Sequence, residues 1–385
     1  MTIDILQTLF KRHKESSLYH RYITNTHITP LLASLDDQFI VETIGHSVQN
    51  KPICAVRVGS GDQRILMWSQ MHGNESTTTK AIFDLLNTLK EGKNETSRLL
   101  NACTLYIIPI LNPDGAEAYT RVNANAVDLN RDAQALTQPE SIILKEAFDR
   151  FKPHFCYNLH GQRTIFSAGS TNNPATVSFL APAQDEACTV TDNRKVAMEV
   201  IGVMNTLLQN VIPNQVGVYD DSFNMNCVGD TFQSQNIPTI LFEAGHYPND
   251  YPREQTRKFI YLSLMESLDY ISNNHITGNL YKTYYNIPEN QKRFFDIIIR
   301  NAHVYSENDN SCVDIGILYQ EILREGVIEF LPKVEKIAVL DGFFGHHEIS
   351  ANGNTVKKED GSELETGHEN VFVMINTKKI SLLLK

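Results

Sequence analysis

Four apolar runs in this chain each end on a conspicuous polar residue. "ILMWSQ" (65–70) runs into His72 and Glu75, and "CTLYIIPI" (103–110) into Asn112-Pro113-Asp114-Gly115. "HFCYNL" (154–159) runs into His160, and "IPTILF" (237–242) into Glu243. Nearly continuous apolar runs of this length mark strands buried on both faces. Between and after them, "TTTKAIFDLLNTLKEG", "ESIILKEAFDRF", "NRKVAMEVIGVMNTLLQNV" and "REQTRKFIYLSLMESLDYISNN" carry helical periodicity. Strands alternating with helices predict an α/β fold, with a mixed, mostly parallel central sheet flanked by helices. Ligands gather at the carboxyl ends of strands in such sheets, so the residues that terminate the runs are the candidates for chemistry.

After about residue 280 the texture changes. "IPENQKRFFDIIIRNAHV" and "IGILYQEILREG" read as helices; "KIAVLDGFFGHHEIS", "NTVKKEDGSELETG" and "NVFVMINTK" read as short strands and turns. The expected organisation is a catalytic domain over 1–280 and a smaller C-terminal α+β or β-rich domain over 281–385, which suits a chain of 385 residues. A net charge of -11 argues against nucleic-acid binding, which needs clustered Lys and Arg. No run of about 18 apolar residues is present, so no membrane-spanning segment is expected. The six cysteines are scattered without a CxxC pair, and the N-terminus lacks the pattern of a secretory leader. Both point to a reducing compartment, so a cytoplasmic location is the expectation. Nothing in the sequence speaks to oligomeric state.

His72 and Glu75, three residues apart, face the same way if the chain turns helically there. With His160 from a separate strand they would supply two imidazoles and one carboxylate, a set suited to a zinc ion that keeps one position open for water. The alternative is a loop whose carboxylate caps a helix. Asn130-Arg131, in "NAVDLNRD", is a pair suited to gripping a carboxylate, or else a surface loop. Arg121, nine residues before Asn130, could hold a developing oxyanion or be a solvated side chain. Glu243 at the end of a buried strand is either a salt-bridge partner or a general base for a metal-activated water. In "GHHE" (345–348), adjacent histidines on a strand point oppositely, which argues against a second metal site. His246 is expected to be structural.

Taken together and in order, "HGNE", "NPDG", "TRVNANAVDLNRD", "NLHG" and "LFEAG" resemble the zinc metallocarboxypeptidase family, the carboxypeptidase A/B-like enzymes. The similarity covers roughly residues 20–275. The resemblance implies one zinc ion bound by His72, Glu75 and His160, with Asp128 buttressing a zinc histidine. It implies Arg121 as the residue that polarises the scissile carbonyl, Asn130 and Arg131 as the grip on the substrate's terminal carboxylate, and Glu243 as the catalytic base. Tyr219, in "VGVYDDSF", is the candidate for the family's mobile tyrosine, although its spacing to Glu243 departs from the family pattern. The implied substrate is a peptide or peptide-like molecule with a free carboxylate. The loop before Glu243, "NMNCVGDTFQSQ", carries no obvious charged selector, which suggests a small or uncharged side chain in a pocket lined by Val228 and Thr231. Two other readings stay open: a zinc amidohydrolase of N-acyl amino acids, of the succinylglutamate desuccinylase and aspartoacylase type, and a non-catalytic peptide-binding relative.

Overall fold

The computed structural model describes residues 1–92, 95–304 and 312–384. The chain divides into two compact units. One comprises Met1–Gln162 and Ala175–Asn290; the other comprises Arg163–Pro174 and Gln291–Lys385. Relative to the expected 1–280 and 281–385, the division falls later and takes 163–174 out of the first unit.

The first unit is built on an eight-stranded sheet. Its strands are β1 (Phe39–His46), β2 (Pro52–Val58), β3 (Gln63–Ser69), β4 (Cys103–Ile108) and β5 (Phe155–Gly161). After β6 (Phe166–Ala168), which lies in the other unit, follow β7 (Val177–Leu180), β8 (Val216–Val218) and β9 (Thr239–Ala244). The spatial order is β1-β2-β4-β3-β5-β9-β7-β8. The centre, β4-β3-β5-β9, is parallel throughout, and antiparallel pairs lie outside it. This is the mixed, mostly parallel sheet that the apolar runs predict.

Alternation along the central strands feeds two cores. Ile65 and Met67 of β3 join a large cluster under the helices Thr77–Lys90, Asp192–Leu208 and Glu254–Asn273. Leu66 and Trp68 face the opposite way, towards the helices Pro139–Phe151 and Val228–Ser234. There Phe232 meets the Trp68 ring edge-on at 5.5 Å and stacks on Phe148 at 4.0 Å. With both faces covered, the strands bury nearly every side chain, which is why their sequences read as unbroken apolar runs. β3 has β4 on one side and β5 on the other, so the chain reverses its direction of travel across the sheet at this strand. A crevice opens at the carboxyl end of such a switch point.

The second unit takes in most of β10 (Asn290–Lys292), then β11 (Phe294–Ala302), β12 (Val313–Arg324), β13 (Val327–Ala338), β14 (Phe344–Ser350), β15 (Val356–Lys357), β16 (Phe372–Ile375) and β17 (Lys378–Ser381). One sheet has the order β13-β12-β11-β14 and another β15-β16-β17. The helices expected over "IPENQKRFFDIIIRNAHV" and "IGILYQEILREG" are instead strands β11 and β12. The physical reason is that Ile297 and Ile299 face one apolar cluster while Ile298 between them faces another, an alternation that suits a strand buried on both sides. His346 and His347 diverge as adjacent strand residues should, with His346 Nε2 against the Thr164 carbonyl at 2.8 Å.

Candidate active site

His72 and Glu75 occupy the turn between β3 and the helix Thr77–Lys90. The Glu75 N–H donates to the His72 carbonyl at 3.0 Å, which closes the turn and brings both side chains to one side. Gly73 is required between them, because a Cβ there would overlap the backbone of Gly115 and Ala116. The glycines of "HGNE" and "NPDG" thus pack backbone against backbone. His160 arrives at the end of β5.

The two Nδ1 atoms, of His72 and His160, lie 3.1 Å apart. Glu75 Oε1 is 2.9 Å from the first and Oε2 is 2.9 Å from the second. Ligand atoms from these three residues all fall within 4.8 Å of one another, a grouping found once among the described residues. Both histidines are buried. On the far side of the ring, His72 Nε2 faces Asp128 Oδ1 at 3.0 Å. A carboxylate only accepts, so that nitrogen carries a proton and, in the neutral ring, Nδ1 is left as a lone pair. That lone pair is aimed at a carboxylate oxygen and at a second imidazole nitrogen. Acceptors converging at about 3 Å call for a proton or a cation between them, and two imidazoles with one carboxylate are a donor set that zinc takes. The residues fit that ion.

The electrostatics agree with the geometry. Burial disfavours charge on Glu75, but the two histidines outweigh it and hold the carboxyl well below its usual range. Burial also works against an imidazolium at His72, where the Glu75 and Asp128 carboxylates prevail and raise the pKa. At His160 burial prevails and lowers it.

Asp128 serves three partners. Besides His72, its Oδ1 accepts from the Asn130 N–H at 2.9 Å, and its Oδ2 accepts from Arg121 Nε at 3.0 Å. Arg121 also reaches towards Glu75 Oε1, 3.5 Å from Nη1, with its side chain about half exposed. Asn130 and Arg131 lie in the 3-10 turn Leu129–Arg131 that follows.

Glu243 is in register with His160 on the neighbouring parallel strand. Its Oε2 is buried and has no hydrogen-bond partner among the described residues. Burial, reinforced by the charge of Glu75, pushes its pKa well above the ordinary carboxylate value, against the pull of Arg121 and Arg253. Tyr219 follows β8, and its hydroxyl pKa is raised by burial and by the charges of Glu243 and Glu75. The nine residues to which the resemblance gives a role all lie in the first unit.

Three residues near this group carry no signal in the sequence that marks them out. The buried Arg253 guanidinium donates to the carbonyls of Ala244 (2.7 Å), Gly245 and Gln162 (3.0 Å), tying together the ends of β5 and β9 just past His160 and Glu243. In sequence it is only the polar start of a helix. Cys227 places its sulfur 3.1 Å from Arg131 Nη1. Asp230, in the segment before Glu243, has a buried carboxyl, and burial pushes its pKa up to about 6 despite the charge of Arg131. Of the two expected pocket residues, Val228 lines a small apolar cavity with Met71, Leu129, Ala133 and Phe232. Thr231 instead spends its hydroxyl on Gln134 and the Met225 carbonyl. His246 packs its ring on Tyr251 at 4.7 Å.

Residues 26–206 match the family model of the zinc carboxypeptidases, and this stretch contains the histidine–glutamate cluster together with Arg121, Asp128, Asn130 and Arg131. Over that stretch, a little under half of its length, the chain is similar to the zinc carboxypeptidases. Carboxypeptidase 2 of Trichophyton tonsurans is 31% identical over 113 residues, which is 29% of this chain and 20% of that protein. The chain therefore matches about a fifth of the length of such curated fungal relatives. A metallo-carboxypeptidase from Burkholderia cenocepacia shares the fold with a TM-score of 0.52 and 17% identity, over 64% of this chain and 68% of the other. Bovine thrombin-activatable fibrinolysis inhibitor, solved in complex with a tick carboxypeptidase inhibitor, gives a TM-score of 0.53 at 13% identity, over 66% of this chain and 98% of the other. The zinc carboxypeptidase fold thus accounts for the first unit's sheet.

Proposed function

We propose that this chain is a zinc-dependent carboxypeptidase that hydrolyses the amide bond next to a free carboxylate of a peptide. The observation that carries the reading is the convergence of two imidazole Nδ1 atoms and one carboxylate, one strand away from a buried glutamate with an unpartnered oxygen. His72, Glu75 and His160 would hold one zinc ion, which supplies Lewis acidity and acidifies water. Carboxypeptidase A binds its catalytic zinc through the same combination of two histidines and one glutamate.

The remaining work falls to the chain. Glu243 takes a proton from water at its unpartnered oxygen and returns it to the leaving amine. Arg121, held by Asp128 and leaning towards Glu75, supplies positive charge where the oxyanion develops. Arg131 and Asn130 grip the terminal carboxylate and so direct cleavage to the last residue. Tyr219 is assigned to the substrate side of the same cleft.

The cytoplasm remains the proposed location, supported by six free cysteines. No helix among the described residues is long and apolar enough to cross a membrane.

The second reading, deacylation of N-acyl amino acids, draws on one observation: the other unit is a compact assembly of β-strands, an attachment expected of that class. The deciding experiment follows free amino acid released from N-blocked dipeptides, from their C-terminal amides and from N-acetylated or N-succinylated amino acids. Cleavage of the free-acid dipeptides alone supports the carboxypeptidase. Cleavage of N-acyl amino acids alone contradicts it.

A further inference from the structure

The carboxylate grip is stitched to the segment before Glu243 by four hydrogen bonds. The Val228 N–H donates to Asn130 Oδ1 at 3.0 Å, and Arg131 Nη1 donates to Cys227 Sγ at 3.1 Å. The Ala133 N–H donates to the Asn226 carbonyl at 3.3 Å, and Gln134 Nε2 to Thr231 Oγ1 at 3.0 Å. Arg131 Nη1 also folds back onto the Asn130 carbonyl at 2.6 Å.

These bonds decide which donors are left over. An arginine fork has five N–H groups and can present either its Nη1/Nη2 end or its Nε/Nη2 side to a carboxylate. Here Nη1 is occupied twice, while Nε and Nη2 make no hydrogen bond among the described residues. Asn130 has its amide oxygen occupied, so its Nδ2 is the donor that remains. Without the Val228 N–H, the amide could turn its oxygen outward and repel an anion. Both leftover donor groups are therefore oriented by a single peptide step.

We infer that Cys227-Val228 is the positioning element of the carboxylate grip: it commits Arg131 to a side-on Nε/Nη2 contact and Asn130 to Nδ2 donation, with Cys227 a positioning residue for Arg131. This rests on the carboxypeptidase reading. It adds that the segment before Glu243 and the Asn130-Arg131 turn act as one piece. A change in Cys227 should then be felt as a loss of discrimination for the free carboxylate and not as a loss of chemistry. Sulfur is a weak acceptor, so the effect is partial: roughly three- to tenfold in carboxylate preference.

The test uses full-length protein carrying Glu243→Gln, so that bound substrate is not turned over. Calorimetry gives Kd for N-benzoylglycyl-leucine and for its C-terminal amide, and the amide-to-acid ratio is the readout. A ratio cancels general destabilisation, which a melting curve records separately. Arg131→Met should collapse the ratio towards one. Cys227→Ala should lower it three- to tenfold, and Cys227→Ser, which restores an acceptor, should recover part of the loss. If Arg131→Met collapses the ratio while Cys227→Ala leaves it within twofold, the positioning role is wrong and the grip stands. If the starting protein shows no preference for the acid, the grip itself is wrong and this inference falls with it.

Discussion

Replacing Asp128 by asparagine should weaken zinc binding without touching a zinc ligand. The carboxylate accepts three hydrogen bonds: from His72 Nε2, the Asn130 N–H and Arg121 Nε. Asparagine keeps the volume but has one acceptor oxygen and one donor nitrogen. With the oxygen turned to His72, the amide nitrogen confronts the Arg121 N–H. With the oxygen turned to Arg121, the amide nitrogen confronts His72 Nε2 and favours the tautomer with its proton on Nδ1, the atom aimed at the metal position. The first arrangement forfeits the bond from Arg121, and the second forfeits the bonds from both His72 and the Asn130 N–H. Loss of such an outer partner typically costs 10- to 100-fold in metal affinity, which is about 1.4–2.8 kcal/mol. A chelator-competition titration measures it directly, and Asp128→Ala should fall at least as far. An Asp128→Asn zinc affinity within twofold of the wild type would mean that Asp128 does not set the His72 tautomer.

Glu243→Gln should lower kcat by about 10²–10⁴ while leaving zinc content at the wild-type value, checked by steady-state kinetics beside metal analysis. Gly73→Ala should destabilise the fold by roughly 1–3 kcal/mol in denaturant melts, since the new methyl group meets the backbone of Gly115 and Ala116 with no flexible side chain to give way. Asp230→Asn should reveal a raised carboxyl. The folded protein holds a proton on Asp230 up to about pH 6, whereas the unfolded chain releases it near the ordinary value of 3.8, so stability declines as pH rises between the two. The asparagine variant should therefore equal the wild type near pH 4 and exceed it above pH 7 by about 1–2 kcal/mol, a figure discounted for partial solvent access. Equal stability of the two proteins at both pH values in urea titrations would remove the basis for that shift.

Much of the site is legible in the sequence because strand ends are local signals. His72, His160 and Glu243 each follow an apolar run, and an α/β sheet brings such ends together whatever lies between them. Glu75 is legible from its spacing to His72, although the protein uses a hydrogen-bonded turn ahead of the helix. What stays hidden is what only long-range contact creates. Cys227 is a lone cysteine until Arg131, 96 residues away, is seen against it. Arg253 is an ordinary helix-start residue until its guanidinium is found across two strand ends. Asp230 is one acid in a polar loop until burial gives it an unusual pKa. In the second unit, "FFDIIIRNA" and "ILYQEILR" are short apolar runs whose periodicity cannot by itself separate helix from strand, and the helices expected there are strands. Nor does any local signal reveal that residues 163–174, immediately after the His160 strand, fold with residues beyond 290.

The central claim is that His72, Glu75 and His160 hold one zinc ion. The most direct measurement is metal content per chain, by mass spectrometry of the purified protein after dialysis against a low concentration of zinc, for the wild type and for His72→Ala and His160→Ala. The expected result is one zinc per wild-type chain, with both variants losing most of it while retaining their fold by circular dichroism. A wild-type protein that binds no zinc, or variants that bind it as well as the wild type, would contradict the claim.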